Sequence, residues 1–161
     1  MKINIGKLQL RMYASILEKR TGVCSQKSDK TDKHLLLWDF DRVSISQIVM
    51  SLINIQQIYK LPSIVIIQSS PKGSYHAYSF TARPFRDIIK ILADTPEVDL
   101  TYLRLGAVRG YYTLRITPRK HDPIFHIVEV LVSKYSDEMT HDDMTINQYL
   151  TNNKGVRNAK R

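Results

Sequence analysis

The stretch that decides the fold is HLLLWDFD, residues 34–41, where four apolar residues run directly into two acids that lie one residue apart. Residues 35–40 are apolar enough to form a buried strand. Because side chains alternate across a strand, we expect Asp39 and Asp41 on one face and Phe40 on the other. Two carboxylates so close together repel each other, which costs stability unless a cation or a basic partner neutralises them.

This acidic pair has two interpretations. Hard divalent cations such as Mg²⁺ prefer carboxylate oxygens and are commonly held by one or two acids together with substrate phosphates. Two such ions can clamp the attacking and leaving oxygens of a phosphoryl transfer, so Asp39 and Asp41 suit a metal site that faces a nucleoside triphosphate. Alternatively, the acids simply end the strand, and Asp41 contributes to the N-terminal field of the next helix.

Outward from this strand, hydrophobic periodicity predicts the other helices and strands. In chain order these are a helix over residues 45–60 with Ser44 as its N-cap, a hairpin of strands 63–70 and 74–80 around a turn at 71–73, a helix over 84–93, a second hairpin of 101–107 and 111–117 around Arg109 and Gly110, a strand over 124–133 and an amphipathic segment over 144–150. This order corresponds to the split βαβ, or ferredoxin-like, arrangement. We therefore expect an α+β domain with a βαββαβ-type core, a mainly antiparallel sheet, helices on one face, and an extra C-terminal strand with short helices.

The chain is expected to divide into three segments. Residues 1–33 would hold an N-terminal helix, over residues 7–19, followed by a mobile polar loop over 20–33. Residues 34–150 would form the main domain. Residues 151–161, TNNKGVRNAKR, are basic, and we expect them to form a disordered tail.

The charge of the chain indicates the class of its partner. Lys and Arg total 24 against 15 Asp and Glu, which gives a net charge of +9 and a pI near 9.7. A domain this basic usually meets a polyanion, and nucleic acid comes first, although a basic surface can also serve solubility alone.

The compartment is predicted from what the sequence lacks. Cys24 is the only cysteine, so no internal disulfide can form, which is typical of a reducing compartment. No apolar run approaches the roughly 20 residues of a membrane helix, and the first residues lack the apolar core of a signal peptide. We expect an intracellular protein, cytoplasmic or nuclear, that is not secreted and has no membrane partner.

A second stretch, SSPKGSYHAYSF at residues 69–80, lies between two predicted strands. Lys72 supplies a point charge for a phosphate, and Gly73 allows close approach of the backbone. Ser74 and His76 share one strand face, and an imidazole nitrogen of His76 can donate to a phosphate oxygen. A lone histidine is more commonly a core or surface residue, so this stretch gains weight only together with the acids.

Together the two stretches resemble the archaeo-eukaryotic primase superfamily, the primase-polymerases. That family's first motif is an apolar strand ending in acid-x-acid, here LLLWDFD, and its second is a small residue, any residue, then histidine, here in PKGSYHAY. The one helix and one strand between the motifs also match the family. Its third motif is an apolar residue followed by an acid, for which Val98-Asp99 is the candidate, with Glu97, Asp94 and Asp122 as alternatives.

The resemblance covers about residues 34–120 and implies a palm with the RNA-recognition-like (RRM-like) fold. It implies a DNA primase or primase-polymerase that condenses NTPs or dNTPs on a template in plasmid or viral DNA replication. Asp39, Asp41 and Asp99 would bind the two catalytic divalent ions, Mg²⁺ or Mn²⁺. The implied roles in binding the nucleotide fall to Lys72, Ser74 and His76, with Arg115 as a phosphate or template contact.

The resemblance also implies partners. These are a single-stranded DNA template, nucleoside triphosphates, and a helicase or a large primase subunit. Members of the family usually carry a further α/β module before the first acids, whereas only 38 residues precede Asp39 here. A minimal replication protein, a chain that needs a partner subunit and a degenerate relative are therefore all open.

Other functions compete with this one. A non-catalytic single-stranded nucleic-acid-binding module of the RRM-like class could stack bases on Tyr75, Tyr78, Tyr102, Tyr111 and Tyr112, but it gives the acids no task. A catalytically inactive primase-like subunit would have the same sequence pattern. A rolling-circle initiator nuclease would resemble a His-hydrophobic-His pair with a nucleophilic tyrosine, and the second histidine is missing here.

Overall fold

The computed structural model describes residues 2–5, 8–11, 22–28, 31–116 and 125–136. In chain order, the elements of this part of the chain are β1 (Lys2–Ile5), β2 (Leu8–Arg11), β3 (Gly22–Cys24), β4 (Gln26–Ser28), β5 (Thr31–Phe40), α1 (Ile45–Tyr59), β6 (Ile64–Ser70), β7 (Ser74–Arg83), α2 (Phe85–Asp94), α3 (Leu100–Arg109), β8 (Thr113–Arg115) and β9 (His126–Leu131). They form a five-stranded sheet in the order β4-β5-β7-β6-β9 and two further strand pairs, β1-β2 and β3-β8. All of these pairings are antiparallel. The predicted α+β class and mainly antiparallel sheet are confirmed.

The centre of the sheet is a split βαβ unit, as the sequence predicts. Strands β5 and β6 both run antiparallel to β7, which lies between them, so they are parallel to each other and α1 connects them. Helix α1 begins after Ser44, which forms a reciprocal capping box with Gln47. It ends at Lys60, directly before Leu61 and Pro62. The predicted hairpin of β6 and β7 is also confirmed.

The second half of the fold differs from the prediction. A second hairpin around Arg109 and Gly110 is wrong, because Leu100–Arg109 is helix α3. The Asp99 side chain caps this helix by accepting from two backbone N–H groups of its first turn, at 2.6 and 2.9 Å. Gly110 ends the helix in the left-handed region, at φ 83°, and therefore serves as a C-cap rather than a hairpin turn.

The predicted N-terminal helix is also corrected. Within residues 7–19, the segment Leu8–Arg11 is a strand that pairs with Lys2–Ile5, with Leu10 opposite Ile3. Cross-strand pairing here overrides the helical spacing of the apolar residues. The remainder of residues 7–19 lies outside the described part of the chain.

The loop predicted over residues 20–33 contains two short strands instead. Strand β3 pairs with β8, strand β4 pairs with β5, and β5 itself begins at Thr31. Val23 of β3 lies opposite Leu114, far away in sequence, so no local pattern could predict this pairing. The predicted segments 144–150 and 151–161 fall outside the described residues.

The two faces of β5 have different roles. Leu36, Trp38 and Phe40 are fully buried, and the Trp38 indole N–H donates to the Thr95 hydroxyl at the end of α2, at 3.1 Å. Trp38 therefore points toward α2, and Leu36 and Phe40 share its face of the strand. Asp39 lies on the opposite face and in register with His76 of β7, so the pleat carries both polar side chains away from α2.

A buried histidine is expected to make the stability of the fold pH-dependent. The His34 ring is buried, with Nδ1 3.1 Å from the Ser25 hydroxyl and Nε2 3.6 Å from Asp32 Oδ1. Burial lowers the pKa of His34, and the Asp32 carboxylate opposes this only in part. The unfolded chain therefore binds the proton at a higher pH than the folded chain does. The stability linked to His34 is present at neutral pH and lost as the pH falls below about 6.5.

We expect the His34→Asn variant to lose less stability than the wild type when the pH falls from about 7.5 to about 5. Asparagine does not titrate, and it keeps a polar group near Ser25. Urea unfolding of both proteins at the two pH values measures the difference. An equal loss in both proteins would show that His34 is not linked to folding.

Candidate functional site

A polar pocket of about 300 Å³ lies where β5 ends, between the β6–β7 turn and the start of α3. Its lining residues are Asp39, Asp41, Arg42, Ser69, Ser70, Lys72, Ser74, His76 and Asp99. Six of the seven site residues predicted from the sequence are in this set, and Arg115 is the exception. Residues from two separated sequence motifs and from the start of a third helix therefore meet in one place.

Strand pairing positions Asp39 and His76. They are partners in the β5–β7 ladder, and His76 Nε2 lies 3.6 Å from Asp39 Oδ1. On the other side of the ring, His76 Nδ1 lies 3.2 Å from the Tyr78 hydroxyl, which donates to the Arg115 carbonyl oxygen at 2.9 Å. Because that bond uses the only proton of the phenol, the Tyr78 oxygen accepts from Nδ1–H. This assignment leaves Nε2 as the nitrogen that faces the acid.

Burial raises the pKa of Tyr78, and the neighbouring Asp39 carboxylate adds to this while the Arg115 guanidinium opposes it. The phenol therefore stays protonated and fixes the orientation of the His76 ring. The same carboxylate acts on α3, where burial, with Asp39 as the next cause, raises the pKa of Tyr102. The Tyr102 hydroxyl donates to the Leu37 carbonyl oxygen at 3.1 Å and so ties α3 to β5.

The second acid is held by the β6–β7 turn. The Ser74 hydroxyl donates to Asp41 Oδ1 at 2.5 Å. The Val43 N–H donates to the Gly73 carbonyl oxygen at 3.3 Å, and Gly73 has a φ of 80°, which a residue with a side chain rarely adopts. The turn thus brings the predicted Lys72 and Ser74 beside the end of β5.

The third acid, Asp99, has two links to this site. Its backbone N–H donates to the Asp39 carbonyl oxygen at 2.9 Å, which docks the start of α3 on the end of β5. Its side-chain Oδ1 accepts from the N–H groups of Thr101 and Tyr102. Asp99 is therefore both a helix cap and a residue that lines the pocket.

The structure does not place Arg115 in the pocket lining. Its guanidinium donates to the Ser69 carbonyl oxygen and lies 5.7 Å from the centre of the Phe125 ring. Ser69 itself lines the pocket, so Arg115 stabilises a residue of the pocket lining without lining the pocket itself. The predicted role of Arg115 as a phosphate or template contact stays a prediction.

The alternative third acids lie in different places. Glu97 shares a neighbouring cleft of about 540 Å³ with Asp41 and Asp99. Asp94 is bound by Tyr59 and by Lys90, whose ammonium lies 3.1 Å away, and these bonds lower the pKa of Asp94. Asp122 falls outside the described residues. Sequence reasoning missed Arg42, although its position directly after the acid-x-acid pair was the available signal.

The pocket suits a hard divalent cation by its chemistry. The carboxylates of Asp39 and Asp41, with Asp99 beside them, form the oxygen-rich surroundings that Mg²⁺ or Mn²⁺ prefers. Among the described residues, however, no group of three or more His, Cys, Asp or Glu side chains is arranged to hold a metal by itself. The donor set therefore fits an ion held by two acids whose other ligands come from substrate phosphates or water.

Comparison with protein-family models, with curated proteins and with solved structures finds no match. Within the described ranges, no helix is long and apolar enough to cross a membrane. The function must therefore be argued from the chemistry of the pocket, since many unrelated activities use α+β folds of this kind.

Proposed function

We propose that this chain is a template-dependent nucleotidyltransferase of the primase-polymerase type. The observation that carries the proposal is the convergence of Asp39, Asp41, Lys72, Ser74, His76 and Asp99 on one pocket. Asp39 and Asp41 come from one motif, Lys72, Ser74 and His76 from a second, and Asp99 from a separate segment of the chain. A chance distribution of surface acids and bases gives no reason for them to meet.

The residues divide into two chemical groups. Asp39 and Asp41, with Asp99, would hold Mg²⁺ or Mn²⁺, which when bound neutralises the charge that develops on the phosphates. Lys72 and Ser74 would bind the phosphates of the incoming nucleotide. His76 would join them through Nε2 in its imidazolium form, because the proton on Nδ1 already donates to the Tyr78 hydroxyl and only a second proton makes Nε2 a donor. In this reaction a 3′ hydroxyl forms a bond to the α-phosphorus and pyrophosphate leaves. The chain's task is to align the two reactants, since positioning and charge neutralisation supply most of the catalysis.

The part of the fold from β5 to β7 supports a palm of the RRM-like class. In this split βαβ unit, with β7 inserted between β5 and β6, the acids lie at the end of β5 and the histidine lies on β7. A single-stranded DNA template, with a helicase or a large primase subunit as a further partner, completes the proposal. The net charge of +9 favours the polyanionic template.

The competing binding module is weakened by burial. Tyr78 and Tyr112 are each 1% exposed, so neither ring can stack on a base in this conformation. Tyr75 and Tyr102 are half-buried, and only Tyr111 of the five candidates is exposed. Among the described residues, these five tyrosines therefore offer little aromatic area for the base stacking that RRM-like modules use.

The experiment that tests the proposal is incorporation of labelled nucleotides on a primed and on an unprimed DNA template, with Mg²⁺ or Mn²⁺. Wild-type protein is compared with a variant in which Asp39 and Asp41 are both replaced by asparagine. Product from the wild type alone, with DNA binding retained by both, would support transfer at this pocket. Salt-sensitive DNA binding by both proteins, with product from neither, would favour the binding module or an inactive palm.

The double role of Asp99 leads to a separate prediction. Asp99→Ala removes the acceptor of two backbone N–H groups and should cost about 1 kcal/mol of folding stability. Asp99→Asn keeps an N-cap acceptor, so its stability should stay close to that of the wild type. Both variants should lose about tenfold or more in nucleotide incorporation, because both remove the charge. Full activity of the asparagine variant would show that Asp99 is only a helix cap.

A further inference from the structure

Two cations lie on adjoining loops at the candidate site. Arg42 directly follows the acidic pair of β5, Lys72 lies in the β6–β7 turn, and both line the pocket. The hydrogen bond from the Val43 N–H to the Gly73 carbonyl oxygen joins the two loops. A Cβ built on Gly73 would lie 4.0 Å from the Arg42 Cα, so the loops are in direct contact.

The backbone of Arg42 is in an unfavourable conformation. Its φ is 59°, in the left-handed region that residues with a side chain rarely adopt. Elsewhere in the described ranges, Lys60 and Glu97 are the non-glycine residues with a positive φ. Lys60 ends α1, where its N–H donates to the carbonyl oxygens of the last helical turn, so helix termination accounts for its conformation. Arg42 ends no helix, and a glycine at this position would relieve the strain.

The contacts of the Arg42 side chain do little to offset this backbone strain. Its Nε lies 3.9 Å from Asp41 Oδ2 and the side chain is 85% exposed, so this ion pair contributes little. Residues whose backbone strain is not offset by stabilising side-chain contacts are most often found at functional sites. The guanidinium is a planar donor that suits the paired oxygens of a phosphate, whereas Lys72 offers a single point charge.

We propose that Arg42 and Lys72 together bind the polyphosphate chain of the substrate, so that the pocket selects triphosphates over monophosphates. This inference rests on the proposed nucleotidyltransferase function and names a residue that determines its substrate class. A polyphosphate chain can contact both cations at once. A monophosphate offers only one phosphate group to the two cations.

The test is a comparison of Arg42→Gly with Lys60→Gly in the full chain. Each variant removes one exposed positive charge and relieves one left-handed backbone, but only Arg42 lines the pocket. Both should melt about 2–4 °C above the wild type. Calorimetry with ATP and with AMP, in the presence of Mg²⁺, then reports binding. We expect Arg42→Gly alone to bind ATP about tenfold more weakly, with AMP binding nearly unchanged.

The outcomes separate the inference from the function on which it rests. If Arg42→Gly binds ATP as tightly as Lys60→Gly does, the role of Arg42 is refuted while the proposed function stands. If the wild type shows no preference for ATP over AMP, the nucleotide site itself is refuted together with the proposed role of Arg42 and Lys72. An Arg42→Lys variant adds a check, because it keeps the charge but loses the planar fork and should recover only part of the preference.

Discussion

Replacing Asp39 and Asp41 together by asparagine is expected to lower nucleotide incorporation by about 10³-fold or more, with the fold intact. Asparagine has nearly the shape of aspartate but lacks the charge that a divalent cation requires. Asp41 Oδ1 accepts from the Ser74 hydroxyl, and an asparagine oxygen can accept the same bond. The packing around the pocket should therefore survive the change.

The stability of this variant is as informative as its activity. Removing two neighbouring carboxylates relieves their repulsion, although it also removes the acid that faces His76. We expect a melting temperature equal to or slightly above that of the wild type, as is common for functional residues that are not selected for stability. Asp87→Asn, at an exposed acid in the first turn of α2, serves as the matched control. Loss of activity in both proteins would show that the effect is not specific to the pocket.

Binding of DNA separates catalysis from recruitment. The acids contribute repulsion toward a polyanion, so the double asparagine variant should bind single-stranded DNA at least as tightly as the wild type at equal salt. Weaker DNA binding by the variant would mean that the pocket had collapsed or that the acids organise the DNA-binding surface. Measuring activity, melting temperature and DNA binding on one preparation distinguishes these cases.

The part of the fold that could be predicted has strong local patterns. Strand β5, helix α1 and the β6–β7 hairpin each have a continuous apolar run or a clear helical spacing, bounded by Ser44, Pro62 and Gly73. The adjacency of the two motifs followed from that topology, because β7 inserts beside β5 and brings His76 opposite Asp39. Local sequence thus determined most of the pocket through the strand order.

The incorrect predictions have distinct physical causes. Residues 101–107 alternate like a strand, yet Tyr102 and Gly106 also lie four apart on one helix face, and the Asp99 cap decides for the helix. The sequence motif points to Asp99 only as a metal ligand, although aspartate is also a preferred N-cap residue. The position of Arg115 outside the pocket lining could not be predicted either, because its guanidinium contacts the carbonyl oxygen of Ser69, which is remote in sequence.

Replacing Gly106 by alanine is expected to destabilise the protein by about 2 kcal/mol or more, which reverses the usual effect of this change in a helix. A Cβ at this position would lie 1.9 Å from Cε1 of Tyr112, well inside the contact distance of two carbon atoms. The ring has little room to move. It is fully buried, its hydroxyl donates to the Leu103 carbonyl oxygen at 3.1 Å, and its centre lies 5.0 Å from that of Tyr102.

Urea unfolding of Gly106→Ala, with Ala107→Gly at the exposed neighbouring position as a control, measures the effect. The control should lose about 1 kcal/mol through helix propensity alone. In a double-mutant cycle, Tyr112→Ala should remove most of the penalty of Gly106→Ala, because the clash requires both groups. A stabilised Gly106→Ala protein would mean that α3 packs differently. Asp99 is the N-cap of α3, and its N–H binds the Asp39 carbonyl oxygen. Any shift of this helix must therefore also disturb the pocket, and activity should fall with stability.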